Sequence, residues 1–217
     1  MSEVPEYVVR LLDGVRFTLI LTVGGFAIGA VLALPLAAAR RSSSRVLRLA
    51  AIGYVETLRG VPPIAWLFLL YFGLAQVDIR LSSLTAGVIG LALIAAAYLA
   101  EIYRAGLRAV PHGQLEAARA VGLGSVRIYR HVIGPQAIVT VVPPAAAFLI
   151  GLLKDSALAS LIGVPEVTGL ALRLTQQEFD GLAIFTAAGI IYLALSVPLA
   201  TFARWLGTRL SARLAFG

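Results

Sequence analysis

The sequence predicts an all-α integral membrane protein, and three observations predict it. Of its 217 residues, 59% are apolar and only 13% are charged, whereas water-soluble domains carry about 25% charged residues. The apolar residues gather into five charge-free runs, most of them reaching the roughly 20 residues a helix needs to cross hydrocarbon. The excess positive charge of +7 is clustered between those runs rather than spread on one face, which argues for membrane lipid, not nucleic acid, as the neighbour.

The first run, Phe17 to Ala39, is read as a retained span. Glu3, Glu6 and Asp13 precede it, and a secretory signal carries basic residues there and a shorter apolar core. The residues before it are expected to form a short exposed amphipathic segment. The second run, Val61 to Val77, is the shortest, but Ala50 to Val55 is apolar upstream. Its helix is therefore expected to begin there and to carry Glu56, Thr57 and Arg59 within the span. Leu81 to Ala100 is the third run, and Pro111 stops its helix. Gly113 to Val121 then reads as a short helix. Gly122 and Gly124 are placed to take the left-handed conformation that ends one, and Ser125 to cap a further stretch, Val126 to Ile133, which meets Pro135 at the membrane. Val132 to Leu153 is the fourth run and Gly181 to Ala203 the fifth, joined by a long connection from Asp155 to Asp180. With neither an internal repeat nor a low-complexity tract, residues 1–217 read as a single transmembrane domain.

Orientation follows from the basic residues, which are retained in the cytoplasm near span ends. With the N-terminus outside, the inner set is Arg40, Arg41, Arg45, Arg48, Arg104, Arg108, Arg119, Arg127, Arg130, Arg204, Arg209 and Arg213. The outer set is only Arg10, Arg16, Arg80, Lys154 and Arg173. Five spans, N-out and C-in, are expected, and the Arg104 to His131 connection lies in the cytoplasm.

Chemistry of its own is scarce in this chain. Cysteine is absent and histidine limited to His112 and His131, so neither a metal site nor a catalytic constellation is expected. Gly-x-x-x-x-Gly-Lys-Ser/Thr does not occur and Lys154 is the only lysine, so the chain has no nucleotide-binding loop of this kind. In the cytoplasmic connection, Ala117 and Ala118 let a partner approach the backbone closely, while Glu116 and Arg119 supply charge for docking.

Glu116, Ala117 and Ala118, then Gly122, then Pro135 after twelve intervening residues, resemble the EAA loop of ABC importer permease subunits. Tyr54 to Pro62 (YVETLRGVP), Ala97 to Arg104 (AYLAEIYR), Pro111 to Leu123, and Leu153 to Glu166 (LKDSALASLIGVPE) are similar, in family order, to the polar amino acid uptake branch of those importers. The resemblance covers the chain from about Gly14 onward. It implies a permease of a bacterial cytoplasmic, or inner, membrane that carries an amino acid by alternating access. It further implies a second permease, itself or a sister, two cytoplasmic ATP-binding subunits that hold ATP and Mg, and an external solute-binding protein. The coupling helix would lie between spans 3 and 4.

Candidates for the substrate pathway are the ionisable or aromatic groups within or at the ends of spans: Glu56, Arg59, Tyr98, Glu101, Lys154 and Asp155. Glu56 with Arg59, and Glu101 with Arg104, also stand at the spacing of local ion pairs. Val61 and Trp66 in the second-span motif, and Ile94 and Ala95 before the third, replace polar residues common in relatives. A drier pathway is expected from them, suited to a less polar amino acid or to a sister permease that supplies polar contacts. From the residues alone, an ion-coupled carrier or channel without an ATPase stays open, since Pro62, Pro63, Pro143 and Pro144 could break helices at the midplane. A membrane enzyme ranks last.

Overall fold

Backbone inside hydrocarbon must satisfy its own N–H and C=O groups, which helices do within one segment. The computed structural model describes residues 4–215, with side chains through residue 210, and every regular element among them is helical. In chain order these are α1 (Val4–Ala39), α2 (Arg45–Gly60), α3 (Pro63–Gly73), α4 (Ser83–Arg108), α5 (His112–Ala120), α6 (Ser125–Ile162), α7 (Val167–Glu178) and α8 (Gly181–Ala215). Among the described residues, α1, α4, α6 and α8 are long and apolar enough to cross a membrane.

The expected exposed N-terminal segment is instead the first turns of α1, which continues unbroken into the first span. Tyr7, Leu11, Gly14 and Thr18 recur at helical spacing and are all buried. Tyr7 and Leu11 pack against Val167, Ala171 and Leu174 of α7 and Ile184 and Ala187 of α8, so the segment has a core of its own to join.

The second apolar run departs from expectation in another way: the segment expected to span as one helix is two helices. Val61 and Pro62 are both extended, with ψ of 136° and 139°, because each precedes a proline and is sterically barred from the helical region. Pro143 and Pro144 break nothing and lie inside α6. Its N-terminal part, Tyr129–Ile133, is a π turn and its last turns, Ser156–Ile162, are 3-10. The Val126 to Ile133 stretch is therefore not a separate helix but the start of α6, which carries the fourth apolar run.

The main seam joins α1 to α4. Gly25, Gly29, Ala33 and Ala37 fall every fourth residue on α1, all buried, and face the alanines of α4. A Cβ on Gly29 would stand 2.5 Å from the Cβ of Ala95 and 2.9 Å from the carbonyl oxygen of Ala92. Lipid offers no hydrophobic drive between helices, so close backbone approach through small residues is what holds such a pair. Gly29→Val is expected to lower the thermal unfolding midpoint in detergent, at a cost of about 1–3 kcal/mol for overpacking. Gly53→Ala has nothing within 4 Å to meet and should leave the midpoint unchanged or raise it slightly. Equal behaviour of the two variants would refute the seam's role.

Candidate functional site

The candidate pathway residues fall into three groups. Arg59, at the C-terminal end of α2, lays its guanidinium carbon 5.2 Å from the ring centre of Tyr98 on α4. Tyr98 in turn stacks on Phe148 of α6 at 5.0 Å. Arg59 is exposed and has no ion-pair partner among the described residues. The expected pairing with Glu56 is not made. Glu56 instead points to Arg40, 3.8 Å away, with most of its side chain exposed. Two spacings explain this: Arg40 follows directly on the apolar run of α1, and Tyr98 offers Arg59 an aromatic face that needs no counter-ion.

Glu101 does pair with Arg104, at 2.5 Å, and also with Arg40, again at 2.5 Å. Two guanidinium groups hold this largely buried carboxylate, so its geometry is that of a brace between the ends of α1 and α4. Sequence reasoning counted Arg40 only as a cytoplasmic charge. Lys154 and Asp155 stand apart, about 10 Å along α6 from Phe148 at 1.5 Å per residue. Lys154 is exposed and Asp155 half-buried.

The break beside Arg59 adds a second feature. The carbonyls of Leu58 and Arg59 would accept helical hydrogen bonds from residues 62 and 63, but both are prolines and carry no N–H. Gly60, Val61 and Pro62 are exposed. Irregular backbone at membrane depth is tolerated where it lines a cavity. Ile94 and Ala95, by contrast, are buried in the helix core at 2% and 0% exposure. They face neighbouring helices and say nothing about how dry a pathway is.

The cytoplasmic loop is built tightly. Gly122 takes a φ of 74°, and its N–H reaches the carbonyl of Arg119 at 3.0 Å while that of Leu123 reaches Ala118 at 3.1 Å. These bonds are the paired ones that end a helix on a left-handed glycine. Gly124 is not left-handed, at a φ of −69°, and it, not Ser125, holds the cap position of α6. Glu116, Ala117, Arg119 and Gly122 are exposed. Ala118 is buried, packed with Ile128 and Ile133 of α6, so only one of the two alanines is open to a partner. Gln136 donates a side-chain hydrogen bond to Gln114, tying α5 to α6 again.

A further buried polar cluster lies at the opposite end of the bundle, where sequence reasoning saw only an external acid. Glu166 is fully buried. Its carboxylate accepts from the N–H groups of Thr168 at 3.0 Å and Gly169 at 2.6 Å, and from the hydroxyl of Tyr192 at 2.6 Å. It caps α7 while holding α8. Thr18 of α1 accepts from the N–H of Val167 at 3.4 Å, and a Cβ on Gly14 would come within 2.6 Å of that nitrogen. A carboxylate just before a helical run is a recognisable cap signal, though its tertiary partners are not.

The chain as a whole has known relatives. Residues 25–213 match the family of binding-protein-dependent transport system inner membrane components. The chain is 38% identical over 192 residues to the probable amino-acid ABC transporter permease protein YckA of Bacillus subtilis (strain 168), covering 88% of this chain and 85% of that one. To the octopine transport system permease protein OccM of Rhizobium radiobacter it is 39% identical over 197 residues, covering 87% and 80%. A crystal structure of an amino acid ABC transporter with histidines matches with a TM-score of 0.89 at 34% identity, over 94% of this chain and 95% of that one. The inward-facing MetNI methionine ABC transporter matches with a TM-score of 0.71 at 26% identity, over 98% and 99%. An all-helical chain whose loop between α4 and α6 exposes Glu116 and Ala117 and closes on a left-handed Gly122 has the form of a transport component. The chain belongs to the binding-protein-dependent transport system inner membrane component family, the permeases of ABC importers.

Glu166 carries the pH prediction of this site. Burial pushes its carboxyl above the ordinary value of 4.5, against the opposing pull of its hydrogen bonds. The folded state then holds the proton to higher pH than the unfolded state does. Its contribution to stability is fullest below the ordinary carboxylate range and is lost as pH rises through the raised value. Glu166→Gln should flatten that part of the dependence of the unfolding midpoint on pH as pH rises above the ordinary carboxylate range. An identical slope in the variant would assign the dependence to other groups. Glu166→Ala, which strands three donors, should destabilise by about 1–3 kcal/mol.

Proposed function

We propose that this permease carries an amino acid across a bacterial cytoplasmic membrane, crossing it five times with the N-terminus outside and the C-terminus inside. It works beside a second permease, its own copy or a sister, above two ATP-binding subunits that hold ATP and Mg, and beneath an external solute-binding protein. The chain itself supplies no cofactor and hydrolyses nothing. The amino acid reading is supported by the relatives named above and by one observation in particular: a free guanidinium beside proline-freed carbonyls.

An amino acid presents a carboxylate and an ammonium a few ångströms apart. Arg59 offers the carboxylate a planar fork of donors held by Tyr98. The carbonyls of Leu58 and Arg59, at the negative end of α2, offer the ammonium uncommitted acceptors. Glu56, largely exposed on the same helix, is a further acceptor, and Lys154 and Asp155 are placed to act nearer the outer end. Glu101 serves the pathway indirectly, by bracing it. Val61, exposed at the break, keeps the dry expectation alive for the side-chain portion of the substrate.

Alternating access follows from the connections of α6. Closure of the ATP-binding subunits moves α5 through its exposed Glu116, Ala117 and Gly122 surface. Because Ala118 and Gln114 fasten α5 to α6, the push is delivered to α6 and carried to Phe148. The stack of Phe148 on Tyr98 then opens or closes beside Arg59. The ion-coupled alternative has no specific observation in its favour.

In the reconstituted transporter, Arg59→Ala should raise the KM for uptake by about 10- to 100-fold, the loss of a charge-assisted hydrogen bond, with ATP spent per substrate unchanged. Gly122→Trp should do the reverse, abolishing uptake while ATP hydrolysis and assembly persist. Uptake intact in both variants would overturn the assignment, and uptake that survives ATP depletion but collapses with the ion gradient would restore the carrier. The absence of native cysteine makes topology simple to test: a membrane-impermeant thiol reagent should label Gln76→Cys and spare Ser43→Cys in intact cells. The opposite pattern would invert the orientation.

A further inference from the structure

The inner ends of α1, α4 and α6 enclose two adjoining clefts of opposite character. The first, about 550 Å³, lies among Leu34 and Ala38 of α1, Tyr103 and Leu107 of α4, and Ile138 and Val141 of α6, with Arg41 on its border. The second, also about 550 Å³, is bordered by Arg40, Arg41, Arg108 and His112 and has no carboxylate in its lining. Arg41 and Leu107 line both, so the apolar cleft adjoins the basic one. Arg40 is committed to Glu101. Arg41 and Arg108 have no ion-pair partner among the described residues.

We infer that this pair of clefts binds one anionic phospholipid of the cytoplasmic leaflet, its phosphate between Arg41 and Arg108 and an acyl chain between α1 and α6. The inference rests on the orientation proposed above, which turns these ends to the cytoplasm. A soluble anion, or an acidic side chain of a partner protein, would account for the basic cleft but not for the apolar slot joined to it. The slot's rim is apolar and open, with Leu34 61% and Ile138 54% exposed, as a lipid-facing rim must be. No residue of α2 lines either cleft, so Arg59 is not part of the site, though Arg40 at its edge lies 3.8 Å from Glu56. Basic pockets between spans on the cytoplasmic side have the chemistry that holds anionic headgroups.

The placement has a consequence for transport. His112 belongs to α5, and Leu115, one turn on, lines the same basic cleft. A headgroup seated there braces the base of α5 against α1 and α4, so lipid charge sets how firmly the coupling helix is held.

The test uses the assembled transporter, purified with its ATP-binding subunits in mild detergent, incubated with phosphatidylglycerol or phosphatidylcholine and read by native mass spectrometry. Phosphatidylglycerol should be retained in preference. Arg41→Gln with Arg108→Gln should weaken its retention by about thirtyfold, the effect of two basic groups at a headgroup. Ala38→Trp, which fills the apolar cleft, should weaken it as well, and Arg45→Gln with Arg127→Gln, outside both clefts, should not. Equal retention of the two lipids, or retention unchanged in the Arg41 and Arg108 double variant, would overturn the proposal. Full displacement by inorganic phosphate would overturn it in favour of a free-anion site. Retention only after the ATP-binding subunits are stripped away would overturn it in favour of a protein contact. Retention in detergent is indifferent to which way the chain lies in a membrane, so inverted thiol labelling with lipid binding intact would refute the orientation alone.

Discussion

Close approach of α1 and α4 through Gly25, Gly29, Ala33 and Ala37 is the constraint from which the rest of the structure follows. In hydrocarbon, burying a leucine against another helix gains little over burying it in lipid tails, so the seam depends on dispersion contacts that only small residues allow. With α1 and α4 fixed as a pair, α2 and α6 each find α4 as a common neighbour, and Arg59 and Phe148 both meet the ring of Tyr98. The ends of the same pair are pinned by Arg40, Glu101 and Arg104. Glu101, one of the candidate pathway groups, is thus consumed in holding the scaffold.

The all-helical fold was largely legible because long apolar runs depend on the solvent, not on tertiary detail. Where the reading went astray, the deciding physics was local and steric. Pro62 and Pro63 divide the second span, while Pro143 and Pro144 leave α6 whole; nothing in hydropathy separates the two pairs. Exposure does not separate them either, since Pro143 and Pro144 are exposed as Val61 and Pro62 are; α6 keeps its course packed against both α4 and α8. The amphipathic start of α1 was misread for a related reason: its burial depends on α7 and α8, elements more than 150 residues away in the chain.

Of the candidate site, sequence indicated the loop surface and the list of ionisable groups, but not their partners. Glu56 and Arg59 have the spacing of an ion pair, yet an arginine from α1 and an aromatic face from α4 compete for them and win. Ala117 and Ala118 look alike as letters, but the helical rotation between them sends one outward and the other into Ile128 and Ile133. Glu166 illustrates the same limit from the other side. Its capping position is readable, but the hydroxyl of Tyr192 and the approach of Thr18 are products of the folded bundle.

Those partners decide how motion can travel. A loop that merely touched an ATP-binding subunit would yield before the spans did, since an isolated nine-residue helix is unstable in water. Here α5 is closed by two bonds at Gly122 and fastened to α6 by an apolar face and a glutamine pair. Its displacement therefore requires displacement of α6. The far end of α6 runs through its 3-10 turns into the segment that carries Glu166, and Glu166 is bonded to α7 and α8 while α1 closes over it. On the proposed coupling, a displacement of α5 is carried into α6 and along its contacts with α4, from the close approach of Gly106 to Val141 up to the stack of Phe148 on Tyr98. That stack lies beside the guanidinium of Arg59, so a change in it alters what Arg59 can reach.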